Sequence, residues 1–160
     1  MKKVVFLFSL VIGAFTVNAQ DISKNAIGLR LGDNDGFGGE ISYQRALGNN
    51  NRLEIDLGLR DNKHYDGFKA TAIYQWVWNI EGGFNWYAGV GGGLGNYSGK
   101  HNDDDNYSET FIFAAGDIGI EYNFPEVPIL LSLDLRPEFG FGNNFNDYAS
   151  DIAFSIRYQF

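Results

Sequence analysis

Apolar and polar residues alternate along most of this chain with a period of two. In the last stretch Ile152, Phe154, Ile156, Tyr158 and Phe160 fall on one side, and Asp151, Ala153, Ser155, Arg157 and Gln159 on the other. Leu53, Ile55, Leu57 and Leu59 alternate in the same way with Arg52, Glu54, Asp56, Gly58 and Arg60, and Leu131, Leu133 and Leu135 with Ser132, Asp134 and Arg136. A period of two puts successive side chains on opposite faces of a β-strand, so each sheet face meets a different medium. Eight such runs are predicted, at 25–32, 37–46, 51–60, 68–79, 84–97, 110–123, 129–141 and 148–160. No segment carries a helical period and no linker divides the chain. One all-β domain over 20–160 is expected: an eight-stranded antiparallel up-and-down barrel.

The connections differ between the two ends. Those after the second, fourth and sixth runs are short: Leu47-Gly48-Asn49-Asn50, Ile80-Glu81-Gly82-Gly83 and Pro125-Glu126-Val127-Pro128. The others are more polar and include the longest, from Ser98 to Glu109. Short turns at one end and longer loops at the other suit a barrel crossing an outer membrane. Asp33-Asn34-Asp35-Gly36 is a tight turn on the long-loop side and fits that rule poorly. Alternation alone leaves open a soluble, lipocalin-like binding barrel with its apolar face inward.

Two features favour the apolar face looking outward to lipid. Tyr43, Trp76, Trp78, Trp86, Tyr122, Phe124, Tyr158 and Phe160 lie on apolar faces beside the short turns or the C-terminus. In a barrel they form one girdle, where Tyr and Trp satisfy an apolar ring body and a polar edge at a lipid–water boundary. The polar face carries Gly28, Gly58, Gly89, Gly91, Gly93, Gly119 and Gly140. Glycine weakens a solvated strand, but the interior of an eight-stranded barrel has little room for larger side chains.

The first residues add a third. Met1-Lys2-Lys3 is basic, Val4 to Val17 is apolar apart from Ser9, Gly13 and Thr16, and Val17-Asn18-Ala19 supplies small residues before Gln20. This predicts a secretory signal peptide over 1–19, too short in its apolar part to span a bilayer. There is no cysteine, which excludes lipoprotein acylation, disulfides and thiolate metal sites. Of 12 Lys and Arg, Lys2 and Lys3 lie in the leader, leaving 10 against 20 Asp and Glu. So acidic a balance excludes nucleic acid as a partner.

The ending Ile156-Arg157-Tyr158-Gln159-Phe160 is similar to the C-terminal signature of bacterial outer-membrane barrels. With the leader and the eight runs, the chain resembles the small OmpX/OmpA-like outer-membrane barrel families over residues 20–160. The resemblance implies the fold, an outer-membrane location in a Gram-negative-type bacterium, both termini periplasmic, and a terminal strand read by the barrel-assembly machinery. It implies no activity, because a fold hosts many functions.

With the apolar face outward, the inward set contains Arg30, Glu40, Glu54, Asp56, Arg60, Lys69, Asp117, Glu121, Asp134, Arg136, Glu138, Asp151 and Arg157. Charges in so narrow a lumen must pair, which predicts a side-chain plug. A narrow conduit for protons, cations or small solutes is the sharper alternative. A lipid-modifying enzyme is a further one, but its only histidines, His64 and His101, lie in loops, and no acyl-transfer motif surrounds Ser98, Ser108, His101 and Asp103. No catalytic residue and no cofactor is expected. Asp103-Asp104-Asp105 offers oxygen ligands for Ca²⁺, yet consecutive residues rarely converge on one ion. Asp33-x-Asp35-Gly36 has Gln44 where a calcium loop carries its acid, about eleven positions on. The expected partners are outer-membrane lipid and lipopolysaccharide, with a surface ligand at the loops, where Asn, Asp, Tyr and Phe recur. Pro137 on an apolar face, and Ile73 and Val77 on a polar one, break the pattern.

Overall fold

A computed structural model of the chain describes residues 22–32, 38–61, 65–99, 107–141 and 148–160. The predicted leader, the Asp33–Gly36 turn, His64, His101 and Asp103–Asp105 lie outside the described residues. The strands are β1 (Asn25–Leu31), β2 (Glu40–Ala46), β3 (Asn51–Asp61), β4 (Tyr65–Glu81), β5 (Phe84–Gly99), β6 (Tyr107–Asn123), β7 (Ile129–Phe141) and β8 (Tyr148–Gln159). Each pairs antiparallel with the next, and β8 pairs with β1, so the sheet is a closed barrel. Closure removes the open edges that a flat sheet of this length would expose.

The seam is held to its last residue. Asn25 N–H donates to Phe160 O at 3.1 Å and Phe160 N–H returns a bond to Asn25 O at 2.9 Å. Gly28 faces the backbone of Ile156 and Arg157 so closely that a Cβ there would collide with it. The short turns and both ends of the barrel wall share one rim. Gly82, at φ +55°, turns β4 into β5 through a left-handed conformation that glycine adopts without steric cost. The register shifts between Asn79 and Glu81, just before that turn.

Burial is inverted relative to a soluble protein. Leu59 is 77% exposed and Ile152 65%, while Arg30, Arg136 and Arg157 are at most 1%. Ile27, Leu29, Ile41, Leu57, Val90, Ile118, Leu133 and Ile156 continue the exposed belt. This rules out the soluble barrel with its apolar face inward, since the apolar face is the outer one.

β4, β5 and β6 are longer than the alternation predicts. Their pairing runs on through Asp66↔Ser98 and Ser98↔Ser108, past the last exposed apolar positions Phe68, Leu94 and Ile112. β7 ends at Phe141, opposite Ile112, so β6 outlasts it by residues 107–111. Pro137 is accommodated without a bulge. The β6–β7 ladder lapses where Gly116 and Asp117 face Pro137 and Arg136, then resumes in the same register at Ile118↔Leu135. Proline lacks the donor for that rung, and Gly116 has no side chain to meet its ring.

Candidate functional site

Among the described residues, ionisable groups gather in the interior. Inward positions alternate along each strand, so every strand sends charges to a shared axis. The structure buries Arg30, Glu40, Glu54, Asp56, Lys69, Asp117, Glu121, Asp134, Arg136, Glu138, Asp151 and Arg157 there. For Arg60 the structure describes the β3 backbone and not the side chain.

Glu54 of β3 is the hub. Its Oε1 accepts from Arg136 Nη2 at 2.7 Å. Its Oε2 accepts from Arg157 Nη2 at 3.1 Å, Gln44 Nε2 at 2.6 Å and Gln75 Nε2 at 3.2 Å. Arg136 also donates to Asp56 Oδ2 at 2.8 Å and lies 3.8 Å from Glu40 and 4.0 Å from Asp117. Arg157 spans the lumen to Ser42 Oγ at 2.9 Å and Ser132 Oγ at 2.8 Å. Towards the long-loop end Arg30 gathers Glu40 at 3.0 Å, Asp151 at 2.7 Å and Asp134 at 2.5 Å. The forked, planar guanidinium suits such multiple acceptors, where a lysine would present a single point charge.

Two smaller groups complete the filling. Lys69 Nζ donates to Glu138 Oε1 at 2.7 Å and stands 5.1 Å above the Phe113 ring. Near the short-turn end Arg52 pairs with Glu121 at 2.7 Å, donates to Gln75 Oε1 at 2.6 Å and lies over the Tyr87 ring. A cavity of about 10 Å³ beside Arg52, Glu121, Asn85 and Leu130 has room for about one water molecule.

Arg52 and Tyr87 are lumen residues that the sequence reading left out of its set. Both signals were present: Arg52 alternates with Leu53, and Tyr87 has the parity of Gly89 and Gly91. Ile73 and Val77 do point inward, and for Ile73 the apolar character has a use there. Ile73, Phe113 and Ala115 pack together with Phe111. The rings of Phe113 and Phe111 cover Gly93 and Gly95 across the strand pair, and Tyr87 covers Gly119. Glycine on one strand thus makes room for an aromatic on the next.

At the short-turn rim Trp78 stacks on Trp86 at 4.3 Å between centroids, Tyr122 meets Phe124 at 4.7 Å, and Tyr158 lies 6.3 Å from Phe160. Trp76 packs edge-on against Tyr74, and Tyr43 OH donates to Asn25 Oδ1 at 2.8 Å. Tyr74 and Phe84, which contacts Tyr122, are outward aromatics absent from the sequence-derived girdle.

Such an interior can hold charge and exclude bulk solvent. No three His, Cys, Asp or Glu among the described residues converge to hold a metal ion.

No family model and no curated sequence matches the chain. Solved structures do resemble it. The N-terminal β-barrel domain of Pseudomonas aeruginosa OprF superposes with a TM-score of 0.67 at 15% identity, covering 88% of this chain and 100% of that one. Neisserial surface protein A gives 0.62 at 14% over 85% and 94%. Ail, the attachment invasion locus protein of Yersinia pestis, solved with the heparin analogue sucrose octasulfate, gives 0.56 at 14% over 86% and 97%. At these identities the likeness establishes the fold: a closed, all-antiparallel, eight-stranded barrel.

Proposed function

We propose that the chain is an integral outer-membrane barrel with a closed lumen, acting at the cell surface through its long-loop end rather than as an enzyme or a pore. The inverted burial carries this reading. An exposed belt of Leu, Ile, Val and Phe around the whole wall has no place in water, whereas hydrocarbon covers it at no cost. The 11 residues of β3 reach about 28 Å at the tilt usual for such barrels, enough for the apolar layer. In β5 and β6 the last exposed apolar positions are Leu94 and Ile112, so residues 95–99 and 107–111, roughly 12 Å at that tilt, stand beyond it.

That projecting sheet supports a surface role. Beyond Phe141 the β7-facing edge of β6 at 107–110 pairs with no strand among the described residues, while its other edge stays paired to β5. A strand edge outside the membrane can take up an extended peptide by main-chain pairing. The likeness to a Neisserial surface protein and to an attachment protein agrees with a surface role in this chain. On the same reading lipopolysaccharide surrounds the outer half of the belt, and the strand ending at Phe160 is the segment offered to the assembly machinery.

The absence of native cysteine makes orientation directly testable. Ser108→Cys in β6 should react with a membrane-impermeant maleimide on intact cells. Asn49→Cys, in the Leu47–Asn50 turn, should react only after the envelope is permeabilised. The reverse pattern would turn the barrel over and remove the surface role.

A further inference from the structure

The described basic side chains divide into two groups. Arg30, Arg52, Lys69, Arg136 and Arg157 are buried and ion-paired in the lumen. Lys24 and Arg45 are exposed, carry no ion pair with any described residue, and sit together at the short-turn rim. Asn25 is the register partner of Arg45, and Ala46 N–H donates to Lys24 O at 3.0 Å. Two neighbouring cations without an ion pair are conspicuous on a chain of net charge −8.

Arg45 is also oriented. Ser42 and Gln44 are buried in the lumen while Ile41 and Arg45 are exposed, so Arg45 lies on the outer wall. Its Nη1 donates to Asn25 Oδ1 at 3.0 Å, the atom that also accepts from Tyr43 OH. Neighbouring outward positions towards the membrane are apolar: Ile27, Ile55 and Tyr158, continued by Leu29, Ile41 and Ile156. Glu126 and Phe160 line the same rim groove as Lys24, and neither forms an ion pair with it.

From this juxtaposition we propose that Arg45, with Lys24, binds the phosphate of an anionic phospholipid whose acyl chains lie along the Ile27–Ile41–Ile156 wall. The inference rests on the reading that the short-turn rim meets the inner leaflet. The ligand chemistry is a phosphate monoanion joined to hydrocarbon. A cation at a membrane surface favours an anionic lipid by about fivefold, and an apolar wall adds the preference for lipid over free phosphate. Tyrosine at this depth suits the boundary between the two parts of the ligand.

Native mass spectrometry of the folded barrel, titrated in detergent with phosphatidylglycerol or phosphatidylcholine, tests it. The first phosphatidylglycerol should bind at least about fivefold more tightly than phosphatidylcholine. Arg45→Gln with Lys24→Gln should bring the ratio to about one, and raised salt should do the same to the unmodified protein should the variant fold poorly. Equal binding of the two lipids, or a preference that survives both the substitutions and salt, overturns the proposal. Competition by millimolar inorganic phosphate would also overturn it, by showing a simple anion site. If no heat-modifiable folded band forms in the detergent at all, the barrel reading itself has failed; a folded barrel without lipid preference refutes the phospholipid site alone.

Discussion

At the residue scale the most consequential side chain is Glu54. Two arginines and two glutamines meet on its carboxylate, and among the described residues Arg157 has no other carboxylate within ion-pair distance. Removing one member of a buried ion network leaves the remaining charge desolvated and uncompensated, a loss of about 3–5 kcal/mol. Glu54→Ala is therefore expected to lower stability by that amount, read as a shift in the urea midpoint of the folded band. Arg45→Ala, exposed and outside the network, should leave the midpoint nearly unchanged. Equal midpoints for Glu54→Ala and the unmodified protein would mean that the network does not hold the barrel. Alternation in the sequence tells which face Glu54 occupies. That it joins β2, β4, β7 and β8 depends on register and on arginine reach, neither of which a single strand encodes.

Elements differ in how far pattern reveals them. β3, β7 and β8 carry a clean apolar–polar alternation because their outer faces meet one medium from end to end, and their limits were legible to within a residue. β4, β5 and β6 were not, because their pairing continues past the apolar belt into polar positions such as Asn96 and Thr110, which bond to one another at 3.1 Å. The Pro137 anomaly resolves only in register, through the unpaired rung and Gly116 opposite. A consequence is that β6 changes character along its length. Backbone amides at 118–122, paired on both sides, should exchange slowly. The outward-edge amides within 107–110 should exchange much faster, since exposed backbone hydrogen bonds open with low free energy. Hydrogen exchange by NMR in micelles would show this gradient, and uniform protection along β6 would mean that the projecting edge is covered.

For the molecule as a whole, inside and outside have traded roles. Arginines and carboxylates do the work of a core, and aliphatic side chains form the surface, with the tryptophans at the short-turn rim and further exposed aromatics such as Phe139 and Tyr148 at the other. This arrangement is stable only if something apolar surrounds the wall. The glycines of β5 and the aromatics that cover them narrow the lumen further, so the interior holds the wall together from within while the ends remain for contact. The periodicity made the barrel legible. The surface partner was not, since no spacing in the chain names a ligand and the longest connections lie outside the described residues. The most direct test of the central claim is electrophoresis of purified outer membranes in SDS, with and without boiling. A closed barrel in lipid predicts an unboiled band of altered mobility whose strands resist protease, converted by heat to the mobility of the full unfolded chain. A single boiling-independent band in the soluble periplasmic fraction would contradict the account, because the exposed belt would then have to lie in water.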